Sequence, residues 1–343
     1  MAISAFITGV SGTTLTQNER AFMRDSNPWG LIVFKRNISD KDQVTKLIAE
    51  FKSLLGRSEV PVLVDQEGGR VQRLGPPHWP KYPPGAAYGR LYDRDPAAGR
   101  AAARLGAHLI AADLLPLGIT VDCLPLADVP VAGADQVIGD RAYGDNPSKV
   151  AAIAAAVAAG LNDGGVLPVL KHIPGHGRAT ADSHERLPVV NADRSTLEQT
   201  DFAAFKPLNR LPLGMTAHVV FTAIDPVSPA TTSVKMIRDV IRGFIGFDGL
   251  LMSDDISMGA LSGSIAERTR ASITAGCDVV LHCNGKLEEM QAVAAAAPAL
   301  EGAAARRAEA ALKARGKPAA FDQAAARQEF NALLAAGGAE IVA

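Results

Sequence analysis

Three of the seven histidines fall in one short run, Leu170-Lys171-His172-Ile173-Pro174-Gly175-His176-Gly177-Arg178-Ala179-Thr180-Ala181-Asp182-Ser183-His184-Glu185-Arg186-Leu187-Pro188. Titratable groups packed this densely mark chemistry more often than solvated surface. Within the run, Asp182 precedes His184 by two residues, a spacing at which a carboxylate can hold an imidazole in one tautomer and the pair can move protons. Far downstream stand two adjacent carboxylates, Asp254 and Asp255, whose side chains must point in different directions. One can face a cavity while the other orients its surroundings, or both can cap the following helix. A carboxylate facing a cavity can attack an anomeric carbon to form a covalent glycosyl intermediate, provided a second group protonates the departing oxygen. A third polar cluster, Asp65-Gln66-Glu67-Gly68-Gly69-Arg70-Val71-Gln72-Arg73, follows the apolar run Val60 to Val64.

Short β-branched runs alternate with longer helical patterns and would position these groups. Strands are predicted at Ser4 to Val10, Gly30 to Phe34, Val60 to Val64, Ile119 to Leu124, Gly165 to Leu170, Gly214 to Val220, Gly249 to Met252 and Asp278 to His282. Helices are predicted at Gln17 to Arg24, Ser39 to Leu55 with Ser39 as its cap, Ala97 to Leu115, and over residues 147–162, 196–210, 233–245 and 264–275. A Pro/Gly-rich loop is expected over 74–90, and Pro174, Gly175 and Gly177 should put the central polar run on a loop. Eight β/α units imply a parallel sheet. Because the polar clusters follow many different strands, a closed (β/α)8 TIM-type barrel with its site at the strand C-termini fits better than an open sheet, which would gather them at one switch point. Residues 1–343 are read as one catalytic barrel domain, with the Ala-rich tail from Lys286 forming additional C-terminal helices of the outer layer. Gly175 and Gly177 near one end of the 174–187 segment, and Pro188 past the other, suit a lid that pivots.

A hydrophobic fraction of 48%, a charged fraction of 21% and a net charge of −1 describe a soluble globular chain with no field favouring nucleic acid or a membrane surface. The first residues carry no basic leader and no apolar run approaches a membrane span, so a cytoplasmic monomer is expected. Cys123, Cys277 and Cys283 are odd in number and set in apolar surroundings, which argues against disulfides. Trp29 and Trp79 are read as packing residues rather than sugar platforms. His176 is read as loop support and His218 as a neighbour of the site.

The segments Asp65-Gln66-Glu67-Gly68-Gly69-Arg70-Val71-Gln72-Arg73, Ile138-Gly139-Asp140-Arg141, Lys171-His172-Ile173-Pro174-Gly175-His176-Gly177, Asp182-Ser183-His184 and Ser253-Asp254-Asp255-Ile256-Ser257-Met258 together resemble family 3 of the glycoside hydrolases. Specifically, they resemble its single-domain bacterial β-N-acetylhexosaminidases of peptidoglycan recycling. The resemblance implies Asp254 as nucleophile, His184 as acid/base with Asp182 as partner, and Asp65, Arg73, Arg141, Lys171 and His172 as binders of the non-reducing sugar. It implies a small substrate containing N-acetylglucosamine and no cofactor or metal. Relatives acting on glucosides carry a second domain, for which this chain leaves no room. Two other readings compete. His172, His176, Asp182 and His184 could ligate a metal in a barrel hydrolase, since imidazole and carboxylate suit zinc. A non-catalytic carbohydrate-binding barrel is the other.

Overall fold

The computed structural model describes residues 2–57 and 59–337. Eight parallel strands close on themselves: β1 (Ser4–Thr8), β2 (Pro28–Val33), β3 (Val62–Val64), β4 (Val121–Asp122), β5 (Leu167–Ile173), β6 (Leu213–Thr216), β7 (Leu250–Asp255) and β8 (Val279–His282). Each pairs with its sequence neighbours, and β1 pairs with both β2 and β8. The protein is thus a TIM-type (β/α)8 barrel, as the strand–helix alternation predicted.

Side chains alternate across each strand, so one set fills the barrel and the other meets the helices. Ile7, Ile32, Leu63, Val121, Val169, Leu213, Leu250 and Val279 belong to the interior cluster, with Trp29 in the same layer. Outside, the Ala-rich helices Pro96–Leu114 and Pro147–Asp163 lie close together. Gly160 allows that approach, because a Cβ there would collide with the Arg104 carbonyl. Trp79 is buried in the outer core, so both tryptophans pack rather than present platforms. All three cysteines are free and buried. Among the described residues, no helix is long and apolar enough to cross a membrane.

Several boundaries differ from the predicted ones. β5 runs on through Lys171, His172 and Ile173, so the first polar residues of the central run lie on a buried strand end rather than a loop. β7 likewise extends to Asp255, past the expected Met252. The Gly214 to Val220 stretch divides: β6 stops at Thr216, and Val220–Phe221 pairs with Val189–Val190 in a separate two-stranded sheet. The 74–90 loop ends in a helix, Gly85–Arg94. The 196–210 helix is only Arg194–Gln199, followed by two 3-10 turns, Phe202–Ala204 and Lys206–Leu208. Met236–Phe244 is helical in the wider π form.

The tail does more than add an outer layer. Helix Gln323–Ala336 packs on Pro96–Leu114 as expected, but Ala308 and Ala311 of helix Gly302–Lys313 join the barrel interior. Arg307 of that helix bonds Asp248 and Asp278, which precede β7 and β8. This helix therefore plugs the N-terminal mouth and leaves the opposite mouth for the site.

The cap of helix Lys41–Leu55 is Asp40, not Ser39: its Oδ1 accepts the Gln43 N–H at 2.9 Å, while the Ser39 hydroxyl bonds Asp40 and Gln43 side chains. Asp40→Ala is expected to cost about 1 kcal/mol in urea denaturation, and Ser39→Ala clearly less. Equal losses would return the cap to Ser39.

Candidate active site

At the C-terminal mouth the strand ends surround a cleft of about 470 Å³. Its lining includes Asp65, Arg73, Arg141, Lys171, His172, Asp182, His184 and Asp254. All eight residues singled out in the sequence are thus brought to one cavity.

The floor is a buried charge cluster. The Lys171 ammonium, 2% exposed, lies 2.6 Å from Glu67 Oε1 and 3.1 Å from Asp65 Oδ1. Glu67 takes a two-point grip from Arg141, at 2.8 Å and 2.7 Å. Asp65 Oδ2 accepts from Arg73 at 3.0 Å. Burial alone would raise both carboxyls, but Lys171 with Arg73 holds Asp65 well below the usual carboxylate range, and Lys171 with Arg141 brings Glu67 to about 2. Burial pulls against Lys171 as well, yet the two carboxylates keep it firmly protonated. An ammonium carries three protons, and two are spent here, so one remains for a ligand. Arg141 commits Nε and one terminal nitrogen to Glu67 and the other to the Val137 carbonyl. It acts mainly by fixing Glu67, with its remaining protons at the cleft.

A tight hairpin, Gln66–Gly68 against Val71–Gln72, carries Arg73 back beside Asp65. Its turn requires glycines: Gly68 and Gly69 have φ of +94° and +58°. Gln66 folds the hairpin end, accepting the Arg73 and Leu74 N–H groups at 3.0 Å each. Behind this floor Asp122 accepts the Gln66 N–H with one oxygen, while the other is buried with no partner among the described residues, and burial pushes its pKa well up.

Asp128, fully buried, organises the start of the central run. It takes His172 Nδ1 at 2.8 Å and the His176 N–H at 2.7 Å. A carboxylate can only accept, so His172 Nδ1 carries the proton and Nε2 is left for the cleft. His176 contacts Ser183 Oγ at 3.0 Å through Nε2, and burial, then the neighbouring His172, lowers it to about 4. It is a neutral loop support.

The two strand-end aspartates separate cleanly. Asp255 is saturated: Oδ1 accepts the Ser257 and Cys283 N–H groups, and Oδ2 the Ser257 hydroxyl at 2.7 Å. Asp254 accepts one bond on Oδ1, from the Asp255 N–H at 2.8 Å. Its Oδ2 has no hydrogen-bond partner among the described residues. Burial works to raise Asp254, but the imidazoles of His218, His172 and His184 and the Asp255 N–H outweigh it, and the group lies below its ordinary value. Neither aspartate caps the next helix, whose N-cap is Ser264.

Asp182 Oδ1 accepts both the His184 N–H at 2.8 Å and His184 Nδ1 at 2.7 Å. Burial opposes these bonds but does not cancel them, and Asp182 is held below the usual carboxylate value. His184 Nε2 is thereby directed outward. The 174–187 segment is not swung away: the Gly259 and Ala260 N–H groups donate to the His184 and Ser183 carbonyls, each at 3.1 Å. Gly259 is needed there, since a Cβ would press on the Glu185 and His184 carbonyls at 2.7 Å and 2.9 Å. The Asp182–His184 pair is thus docked on the loop that follows Asp254.

The metal reading meets a different arrangement. His172, His176 and His184 each engage one ring nitrogen with Asp128, Ser183 and Asp182. Among the described residues, no three His, Cys, Asp or Glu converge to hold an ion. The residues that sequence reasoning left without a role are Glu67, Asp128, Asp122 and Gly259. Glu67 and Asp128 were visible only as two more acids near strand ends, and their buried partners lie 74 and 44 residues away.

Comparison with known proteins agrees with this construction. The profile of the glycosyl hydrolase family 3 N-terminal domain matches residues 7–314. A β-hexosaminidase of Alkalilimnicola ehrlichii is 40% identical over 288 residues, 83% of this chain and 82% of that protein. One from Aromatoleum aromaticum is 39% identical over 279 residues, 80% and 78% of the two chains. The crystal structure of NagZ from Neisseria gonorrhoeae in complex with N-trifluoroacetyl-D-glucosamine matches with a TM-score of 0.84 at 31% identity, over 98% of each chain. The barrel and its cleft are those of a glycoside hydrolase. The chain belongs to glycosyl hydrolase family 3.

The cluster has a consequence for pH. Glu67 and Asp65 are depressed in the folded state, so the stability they contribute is complete above their unfolded values and is lost as pH falls toward the folded ones. The melting temperature is expected to drop as pH is lowered from about 4.5 to about 2, and Glu67→Gln should both lower it at neutral pH and flatten that slope. An unchanged slope in the variant would show that acid unfolding is driven elsewhere.

Proposed function

We propose that the protein is a retaining exo-β-N-acetylglucosaminidase. The observation that carries this reading is that Asp254 Oδ2 and His184 Nε2, neither with a protein partner among the described residues, line one cleft. In the first step Asp254 attacks the anomeric carbon as the glycosidic bond breaks, while the His184 imidazolium gives its Nε2 proton to the leaving oxygen. Asp182 accepts from Nδ1 and stabilises the charged ring. In the second step neutral His184 takes a proton from water, whose oxygen attacks the same carbon and releases Asp254.

Strands β3 and β7 lie on opposite sides of the eight-stranded ring. A sugar whose anomeric carbon faces Asp254 therefore extends toward Asp65, Arg73 and Lys171, which suits them to its distant hydroxyls; His172 Nε2 and Arg141 flank it. The hexosaminidase names of the relatives and the glucosamine derivative bound to the Neisseria protein support a 2-acetamido sugar in that position. We take the natural substrate to be N-acetylglucosamine at the non-reducing end of a peptidoglycan-derived anhydromuropeptide.

Asp254→Ala is expected to abolish turnover of an aryl N-acetylglucosaminide without altering the melting profile, and a fluorinated glycoside should label Asp254 in the intact protein, read by mass spectrometry of peptides. Labelling of Asp255 would reverse the assignment. His184→Gly should lose about 10²–10⁴-fold in kcat on a substrate with a poor leaving group and far less on an activated aryl glycoside. Equal losses on both would remove His184 from proton transfer.

A further inference from the structure

His218 is fully buried beside the cleft, yet neither step above uses it. Its ring joins two elements. Nε2 lies 3.0 Å from the Asp255 carbonyl oxygen at the end of β7, and Nδ1 lies 2.7 Å from the Thr231 hydroxyl. Thr231 is itself 2.8 Å from the Thr216 hydroxyl, at the end of β6, and 3.1 Å from the Ala217 carbonyl.

The protons in this network have one consistent order. A carbonyl oxygen can only accept, so His218 Nε2 carries a proton. Burial lowers the pKa of this ring, and a neutral imidazole with a proton on Nε2 has a bare lone pair on Nδ1. The single Thr231 proton goes to that lone pair, the nearest of the three acceptors around it, and the Thr216 hydroxyl donates to Thr231. The chain runs from Thr216 through Thr231 and His218 to the Asp255 carbonyl. Thr231 and Thr216 thus select the tautomer that presents an N–H to β7.

The anchored carbonyl belongs to the residue after Asp254. The Met258 N–H also donates to it, at 3.1 Å, and the Asp255 side chain is tied to Ser257 and Cys283. These bonds hold the Asp255 carbonyl and side chain from the 256–258 and β8 sides. His218 is the grip from the β6 side. The Asp255 N–H, in turn, is the group that holds Asp254 Oδ1.

We infer that His218 is a positioning residue for the nucleophile: its Nε2–H, directed by Thr231, fixes the Asp255 carbonyl and with it the backbone of Asp255, whose N–H lies across the same Cα, so that Asp254 keeps Oδ1 on that N–H and presents Oδ2 to the anomeric carbon. The inference rests on Asp254 being the nucleophile. It places the effect on the reacting geometry and not on sugar binding, because Asp65, Lys171 and Arg73 are held by a separate set of bonds.

Glutamine can reproduce both contacts, with an amide N–H for the Asp255 carbonyl and an amide oxygen for Thr231, whereas phenylalanine keeps a ring and neither contact. On an aryl N-acetylglucosaminide, His218→Phe is expected to lose about 100-fold in kcat, the scale of a small misplacement of a reacting group, with KM little changed. His218→Gln should recover most of that loss. Trapping by the fluorinated glycoside should slow in the same order, still at Asp254. Equal kcat losses in the two variants, or a loss confined to KM, would overturn the inference. Should His218→Phe not fold, Thr231→Val and Thr231→Ser supply the same comparison: valine should lower kcat and trapping rate, and serine should keep both. Equal behaviour of those two would overturn it as well. Labelling of a residue other than Asp254 in the unaltered protein would instead unseat the nucleophile assignment on which this stands.

Discussion

The ammonium of Lys171, buried at the centre of the barrel mouth between Asp65 and Glu67, is the constraint on which the cleft depends. A charge removed from water is tolerated only when opposite charges and hydrogen bonds replace the lost solvation. Here each replacement recruits a further residue. Glu67 brings Arg141 from the β4–helix connection, and Asp65 brings Arg73 from the hairpin after β3. Removing one partner of such a cluster costs about 3–5 kcal/mol, because the remaining charge is stranded. The arrangement therefore sets the shape of the floor as firmly as an apolar core would, while leaving donors and acceptors facing a ligand.

The same logic of spent and unspent bonding capacity distinguishes the other polar groups of the cleft. Asp255 and Asp254 are adjacent and chemically identical, yet one has both oxygens occupied and the other has one free. Asp128 and Asp182 each occupy the Nδ1 of a histidine and so direct its Nε2 into the cleft. A group that is partly satisfied is held still and remains reactive. The docking of the Ser183 and His184 carbonyls on Gly259 and Ala260 then ties His184 to the loop that follows Asp254 through two backbone bonds and a glycine.

Much of this was legible in the amino-acid sequence because it is local. Alternating β-branched and helical periods specify eight β/α units, and the closed barrel follows from the dispersal of polar clusters over many strand ends. The two-residue spacing of Asp182 and His184 is enough to define a hydrogen-bonded pair, which the structure contains. The eight candidate residues converge for the same reason: each lies at the C-terminal end of a strand or in the connection that follows it, and a closed barrel delivers those segments to one mouth.

What the sequence could not determine depends on partners distant along the chain. Whether Lys171 and His172 belong to a loop or a strand is decided by pairing with β4 and β6, not by the glycines that follow. Both Asp254 and Asp255 line the cleft, and which of them has its oxygens taken by the protein is decided by Ser257 and by the Cys283 N–H of the neighbouring segment. The plug of the barrel by Ala308 and Ala311 needs the strand N-termini in place before an Ala-rich helix has a cavity to enter. Residue type and spacing determined which groups could react. Tertiary structure alone decided which of their atoms are spent on the protein and which are free, since that is set by hydrogen bonds between residues tens of positions apart.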